Sequence, residues 1–319
     1  MPPFPKPSFS FAYQADVEIK ALRQYRDTKP GRAIPKKAST KLLVATWNIA
    51  NLGVQERRIE DYQLIAEMLS WFDLIAVQEV NDNLQGLRGI QQELPARMKV
   101  LFSDEAGNNE RLAFIYDSKK VSLREKVGEI AIPPSEARHI KLPGITQTFD
   151  GFDRNPYLAA FQAGHFQFLL VNVHLYYGSE SAVSINRRSL ETFAVARWAD
   201  NRRKSPNCYC PDIIALGDFN LPKPVPGDPI FDALTKRGLH LPQHTSEVGS
   251  NLSSDNHYDQ IAFFPGATQA DFTGQSGIFD FDGAVFSQLH ATRPLKDFLA
   301  YVRYYVSDHR IMWAEFKTQ

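Results

Sequence analysis

Apolar runs of strand length recur along the chain, separated by polar or turn-forming residues. Short runs rich in β-branched and aromatic residues predict buried strands. Gly164-His165 separates two of these runs and predicts a hairpin turn. The predicted strands are LLVATWNI, DLIAVQEV (73–80), RLAFIYD (111–117), KVSLREKVGEI, YLAAFQAG (157–164), FQFLLVNVHL (166–175), DIIALGDF (212–219), HYDQIAFF (257–264) and IMWAEF (311–316).

Three stretches carry apolar residues at the spacing of one helix face and predict helices at 14–27, 57–70 and 183–203. Strands alternate with helices in some places and follow one another directly in others. This mixed order predicts an α/β (α+β) fold in which two mixed β-sheets pack face to face with helices outside, rather than a doubly wound parallel sheet. The region 265–307 has few periodic cues, and we predict that it contains loops.

Polar residues capable of metal binding or acid–base chemistry stand at the ends of the apolar runs. Each has a purely structural explanation when taken alone: Glu79 as a surface strand end, Asp218 as a turn former, His174 as a hydrogen-bonded core histidine. The Asp308-His309 pair would likewise cap the last strand. Strand ends in layered sheet proteins converge on a crevice, so the combination favours one shared site. Its candidate residues are Asn48, Glu79, His174, Asp218, Asn220, Asp259, Asp308 and His309.

The residue types at these strand ends suit phosphate ester hydrolysis. That reaction needs charge neutralisation, an activated water and a proton for the leaving oxygen. Glu79 with an Asn or Asp is an oxygen ligand set suited to Mg²⁺ or Mn²⁺. A histidine held by a carboxylate can act as a general acid or base near neutral pH.

Composition narrows the choice of partners. Lys+Arg and Asp+Glu both number 36, so nucleic-acid binding would require a local basic patch or a bound cation. The two cysteines, Cys208 and Cys210, are one residue apart and are expected to be free thiols of a reducing compartment. No secretory signal and no membrane-spanning run is visible, which predicts a cytoplasmic protein, although a secreted form lacking its leader would look the same. The oligomeric state is left open.

Seven motifs in order, WNIANLG, DLIAVQEV, DRNP, NVHLYYG, LGDFN, HYDQIAF and SDHR, resemble those of the endonuclease/exonuclease/phosphatase superfamily, whose fold is deoxyribonuclease-I-like. The resemblance covers roughly residues 41–316. It implies a four-layered α/β sandwich, with a catalytic domain at 41–319 and a partly helical N-terminal extension at 1–40. It also implies a divalent-metal-dependent phosphodiester hydrolase.

The resemblance assigns the metal to Asn48 and Glu79, with Glu79 the principal ligand and Asp308 close to the metal. Asp218 and Asn220 would orient the attacking water or a second metal and stabilise the phosphorane, with Asn220 also contacting the substrate phosphate.

The remaining roles lie on the substrate side of the predicted site. Arg154 of DRNP would bind the scissile phosphate, because a guanidinium matches phosphate geometry. His174 would bond a phosphate oxygen or act as an acid, and Glu110 is placed to pair with it. Asp259 would orient His309. The general base is either His309, assisted by Asp259, or Asp218.

A nuclease, DNA-endonuclease-like, is the leading functional hypothesis. The alternative is a phosphatase or phosphodiesterase acting on a small phosphate ester or a phospholipid head group, such as inositol phosphate or sphingomyelin; a non-catalytic scaffold is a third. The loop after Glu79 lacks the basic residue, and the loop 104–110 lacks the aromatic residue, that would support duplex binding. The basic clusters are interpreted first as solvated helix or turn faces, and Arg187-Arg188 is the best candidate among them for tracking a nucleic-acid backbone. Tyr176, Tyr177 and Phe219 are candidates for stacking on bases or sugars, or for ordinary packing.

Overall fold

The structure is a computed structural model that describes residues 3–244, 246–253 and 255–319. In this part of the chain the strands form two mixed sheets, of six and five strands. Helices cover the outer face of each sheet, so the four-layered α/β sandwich predicted from the sequence is confirmed.

The six-stranded sheet contains the first strands of the chain and the last. Its order is β10-β11-β1-β2-β4-β3; β1 and β2 are parallel and the other neighbours are antiparallel. The strands are β1 (Lys41–Leu52), β2 (Leu74–Asn81), β3 (Met98–Phe102), β4 (Glu110–Asp117), β10 (Phe272–Phe279) and β11 (Ile311–Lys317).

The five-stranded sheet has the order β5-β6-β7-β8-β9, with β7 and β8 parallel. Its register places His174 opposite Asp218, and Asp218 opposite Asp259. Three predicted site residues therefore lie side by side at one edge of this sheet. The strands are β5 (Ser122–Glu129), β6 (Tyr157–Ala163), β7 (Phe166–His174), β8 (Ile213–Asp218) and β9 (Asp259–Phe263).

Each sheet is covered by helices that bury one apolar face. The helices packed on the six-stranded sheet include α1 (Ala15–Thr28), whose Leu22 is fully buried in the same cluster as the sheet residues. The longest helix, α5, covers the other sheet. The remaining helices are α2 (Ile59–Ser70), α3 (Gln85–Glu93), α4 (Pro134–Ala137), α5 (Ala182–Arg203), α6 (Pro229–Thr235), α7 (Ala267–Asp271), α8 (Ser287–Thr292) and α9 (Leu295–Tyr305).

The layer between the sheets contains an aromatic and aliphatic core. Phe114, Phe161 and Phe168 are fully buried there with Leu42 and Val44 of β1. Burying each such side chain contributes about 1.5–3 kcal/mol, which holds the two sheets, and hence their polar ends, in a fixed relation. In the described residues, no helix is both long and apolar enough to cross a bilayer.

The prediction of loops in 265–307 is wrong for most of that region, which contains β10, α8 and α9. The buried face of α9 consists largely of tyrosines, among them Tyr301, Tyr304 and Tyr305. Because tyrosine is both apolar and polar, these positions do not stand out in the sequence as the apolar face of a helix. Gly274 and Gly277 interrupt the alternation of β10.

Candidate metal centre and active site

The backbone leaves regular strand geometry where it presents the site residues. Glu79 has a φ of 59°, and the pairing of β2 with β4 shifts register between Val77 and Val80. Asn220, just after β8, has a φ of 52°. This left-handed conformation costs a non-glycine residue about 1–2 kcal/mol, and such strain concentrates at functional sites. Asn51, also left-handed, donates its backbone N–H to Glu79 Oε2 at 2.7 Å and fixes the carboxylate.

Asn48 joins the two sheets at their polar ends. Its Nδ2 donates to Glu79 Oε1 at 3.0 Å and to Asp218 Oδ2 at 3.2 Å. The side chain is fully buried, and its Oδ1 has no hydrogen-bond partner among the described residues. A buried acceptor without a partner costs about 1–3 kcal/mol. A buried, unpaired amide oxygen on a side chain that two carboxylates hold fits an oxygen-liganded divalent cation nearby.

A second group of ligand atoms adjoins the first. Asp218, Asp259 and His309 each place one ligand atom within 4.8 Å of the others, so this cluster could hold a metal ion. His309 Nδ1 lies 2.7 Å from Asp259 Oδ2, and its Nε2 lies 3.8 Å from Asp218 Oδ2. Burial acts to lower the pKa of His309, but Asp259, Asp308 and Asp218 together raise that pKa well above its ordinary value.

Asp308 completes the acidic environment on the other side of His309. The side chain is half-buried, and burial raises its pKa to about 6. The negative charge of Glu79 raises this pKa further, whereas His309 opposes the shift. Carboxylates gathered in this way repel one another, and a cation would relieve that repulsion.

His174 and Glu110 form a second histidine–carboxylate pair beside the first. His174 Nδ1 lies 2.9 Å from Glu110 Oε2, and Nε2 lies 3.7 Å from Asp218 Oδ2. Burial acts to raise the pKa of Glu110, but His174 and Arg154 hold it below its ordinary value. The structure thus places Glu110 next to His174 and points the opposite ring nitrogen towards Asp218.

Arg154 lies at the cleft wall, with only 3% of its surface exposed. Its Nε donates to the backbone oxygen of His174 at 2.9 Å and its Nη2 to that of Leu175 at 3.2 Å. Its Nη1 lies 3.1 Å from Asp153 Oδ2. The guanidinium therefore fixes the backbone at the end of β7 through these hydrogen bonds. Its contact with a phosphate remains a prediction.

A cleft of about 240 Å³ opens beside these residues. Asn220 forms part of its floor: its backbone N–H donates to Asp218 Oδ1 at 2.8 Å and its Nδ2 to the Leu175 carbonyl at 2.8 Å. Hydrogen bonds and close charge pairs connect nine of the ten candidate residues, and Asp308 precedes His309 in the chain and acts on it through its charge. The cleft lining includes Glu79, Arg154, His174, Tyr176, Tyr177 and Asn220.

Two sequence interpretations need correction. Arg188 does not track a nucleic-acid backbone, because it is fully buried and donates to the backbone oxygens of Asn220, Tyr177 and Ser179 at 2.9–3.1 Å. Phe219 is not a stacking residue, because it is fully buried in the core of the five-stranded sheet.

Sequence reasoning missed Ser307 and Glu191. Ser307 Oγ donates to the Asn48 carbonyl at 2.7 Å and accepts the His309 N–H at 3.1 Å, which links the last strand to the first. Glu191, fully buried on α5, accepts the backbone N–H groups of Asp153 and Tyr176. Ser307 is the first residue of the SDHR motif, but a serine beside an aspartate and a histidine is not singled out by its chemistry, and a lone glutamate in a helix carries no distinguishing signal.

No protein-family model matches the chain. A deoxyribonuclease of Thioalkalivibrio sp. (strain K90mix) is 32% identical in an alignment of 198 residues that covers 59% of this chain. The aligned part is 49% of that protein, so the chain spans about half the length of this curated relative.

Solved structures match nearly the whole chain at low sequence identity. Humanized TDP2 of D. rerio superposes with a TM-score of 0.56 and 14% identity, covering 88% of this chain and 99% of that one. An endonuclease/exonuclease/phosphatase family protein of Bacteroides thetaiotaomicron gives 0.55 and 18%, covering 88% and 96%. The mannosyl-6-phosphatase Bt3783 of the same organism gives 0.54 and 18%, covering 86% and 99%. The resemblance is therefore confirmed in three dimensions: the chain has the fold of the endonuclease/exonuclease/phosphatase family.

Proposed function

We propose that the protein is a Mg²⁺-dependent phosphodiester hydrolase that acts on nucleic acid. The observation that carries this proposal is the buried Asn48 side chain, whose Nδ2 joins Glu79 to Asp218 and whose Oδ1 is unpaired, together with the His309–Asp259 pair beside Asp218. The 32% identity to a protein named deoxyribonuclease supports the choice of nucleic acid.

The donor set suits a magnesium ion, because it consists of hard oxygen atoms at the edge of an open cleft. Asn48 Oδ1 and Glu79 would hold the cation, with Asp308 near it. When bound, the cation would neutralise charge on the scissile phosphate. Mn²⁺ accepts the same ligands and is expected to substitute.

Proton transfer falls to the histidine–carboxylate pairs. Asp259 occupies Nδ1 of His309, so Nε2 faces Asp218 and the space where an attacking water would lie. His309 and Asp218 are the two groups able to accept the proton of that water. The backbone N–H of Asn220 holds Asp218 in place for either role.

On the other side, Glu110 occupies Nδ1 of His174 and leaves Nε2 directed towards Asp218. A charged His174 can donate a hydrogen bond to a phosphate oxygen or a proton to the leaving oxygen. Its neighbour Arg154 fixes the backbone at that position through the His174 carbonyl.

A second candidate function is hydrolysis of a small phosphate ester. The cleft measures only about 240 Å³, and Arg154, whose donors already have partners, is the one arginine or lysine among the described residues that line it. A structural neighbour is named a mannosyl-6-phosphatase. Small phosphate monoesters therefore belong in the substrate panel.

The test is hydrolysis of plasmid DNA, single-stranded DNA, RNA, sugar phosphates and phospholipid head-group esters, each with Mg²⁺ or with EDTA. We expect nucleic acids to be cut with Mg²⁺ and not with EDTA. Glu79→Ala should abolish the Mg²⁺ dependence together with the activity, whereas Glu125→Ala, at an exposed position on β5, should change neither. Activity that survives EDTA would exclude the metal mechanism, and turnover confined to monoesters would favour the phosphatase.

A further inference from the structure

Two tyrosines stand at the mouth of the cleft, in the segment that follows β7. Tyr176 and Tyr177 are both half-buried and both line the cleft. Each ring is covered by an arginine of α5: the Arg187 guanidinium carbon lies 3.9 Å from the centre of the Tyr176 ring, and that of Arg188 lies 4.7 Å from the Tyr177 ring. An arginine stacked in this way fixes the plane of the ring.

The backbone under the two rings is locked by buried charged side chains. Arg188 donates to the carbonyls of Tyr177 and Ser179, and Glu191 accepts the N–H of Tyr176 at 3.1 Å. Glu191 also accepts the Asp153 N–H at 3.2 Å, so one helix positions both walls of the cleft. A loop held before the ligand arrives loses little entropy on binding.

Close packing fixes the Tyr176 ring further. Gly178 has a φ of 67°, and a methyl group at this position would lie 2.4 Å from the Tyr176 ring atoms. Tyr177 in turn packs edge-on against Tyr258, with ring centres 6.2 Å apart, and Tyr258 lies 6.0 Å from the His309 ring. Tyr258 therefore lies between Tyr177 and the proposed catalytic histidine.

Charge along the cleft argues against a substrate held by many phosphates. Its lining includes the carboxylates of Glu79 and Asp153, and the guanidinium of Arg154 already donates to backbone carbonyls. Next to the metal site, the groups on this surface that can bind a nucleic acid are the aromatic rings of Tyr176 and Tyr177. Stacking on such rings tolerates any base but requires that the base be unpaired.

We propose that Tyr176 and Tyr177 form a subsite that binds an unpaired base next to the scissile phosphate. The substrate class is then single-stranded nucleic acid or a frayed end rather than intact duplex. This inference rests on the proposed function, because the base is placed relative to a phosphate at the metal site.

The test compares a fluorescein-labelled single-stranded octathymidylate with the same chain made of abasic tetrahydrofuran residues. Binding to the wild-type protein is measured by fluorescence anisotropy in Mg²⁺-free buffer with EDTA, and cleavage is measured with Mg²⁺. We expect the base-containing chain to bind about 10-fold or more tightly than the abasic chain, in line with base–aromatic stacking. It should also have a lower KM.

Three variants sharpen the comparison. Tyr176→Ala combined with Tyr177→Ala should remove the preference for bases, while Tyr176→Phe, which keeps the ring, should retain it. Tyr209→Ala is the matched control: Tyr209 is an exposed tyrosine approached by a cation, Lys126, but it lies in the loop before β8, at the opposite end of that strand from Asp218. This control should bind like the wild type.

The possible outcomes test the base subsite and the phosphodiester hydrolase activity separately. Cleavage of both chains with equal KM, or a double alanine variant that still prefers bases, would overturn the base subsite and leave the phosphodiester hydrolase standing. Base-dependent binding by a protein that hydrolyses no phosphodiester would support the subsite and refute the proposed function.

Discussion

Glu191 gives the sharpest quantitative prediction, because it is an acid buried without a full counter-charge. Its carboxylate is fully buried on α5 and accepts two backbone N–H groups, while Arg187 approaches at 3.2 Å from the rim. Burial raises its pKa to about 7, against the opposing effects of these partners. Replacement by glutamine removes the titration while keeping the size of the side chain.

The magnitude follows from linkage between protonation and folding. The folded pKa lies above the unfolded value of about 4.5, so the folded state binds the proton more tightly. The resulting stability is fully present below pH 4.5 and is lost as the pH rises through 7. At about 1.4 kcal/mol per pKa unit, the shift corresponds to about 3 kcal/mol of unfolding free energy.

The assay is urea unfolding of the wild type and Glu191→Gln at several pH values from 4.5 to 8. The advantage of the wild type over the variant in unfolding free energy should fall by about 3 kcal/mol across this range. Glu105→Gln, at an exposed position, should leave the pH dependence of the wild type unchanged. A difference between wild type and Glu191→Gln that stays constant from pH 4.5 to 8 would refute the reasoning.

Four further predictions concern the site and the core. Mg²⁺ should raise the Tm of the wild type, and Asn48→Ala should abolish that rise; a shift that survives in this variant would contradict the assigned ligand. His309→Ala should lower kcat by about 100- to 10,000-fold, measured under saturating substrate, and an unchanged kcat would remove it from the mechanism. Gly178→Ala should raise KM for single-stranded substrate about 10-fold by displacing Tyr176, and an unaltered KM would show that the ring position is irrelevant. Phe161→Ala should reduce the unfolding free energy by about 3–5 kcal/mol in urea titrations, and a loss below 1 kcal/mol would mean that the layer between the sheets is not tightly packed.

The sheets and the grouping of the site residues could be predicted because both follow from one local pattern. An apolar run that ends in a polar residue, as in DIIALGD, indicates both a buried strand and the edge at which it opens. Asp218 was therefore identifiable without any knowledge of its partners. The position of Asp218 beside His174 and Asp259 depends on strand order: the C-terminal ends of parallel β7 and β8 adjoin, and antiparallel β9 begins where β8 ends.

The arginines of α5 show what sequence cannot supply. Arg187 and Arg188 are adjacent, yet their directions differ by about 100° around the helix. One side chain is 38% exposed at the cleft rim, and the other is fully buried under the loop. Judged by charge alone, both arginines are expected to be exposed to solvent. A guanidinium can be buried only where other segments of the chain provide carbonyl groups to accept its hydrogen bonds. Those carbonyls belong to Tyr177, Ser179 and Asn220, whose positions are set by the fold.

Several local conflicts gather in the site. Glu79 has a left-handed backbone where the β2–β4 register shifts, and Asn48 leaves a buried oxygen unpaired. Such local conflicts are expected where a ligand completes the structure. The charges point the same way, because the carboxylates of Asp259, Asp308 and Asp218 all act on His309 in a chain whose net charge is zero. A single cation at Asn48 would satisfy the orphaned oxygen and the excess of negative charge together. It would also attract a phosphate to that edge of the cleft, and the rings of Tyr176 and Tyr177 would then contact the base next to that phosphate.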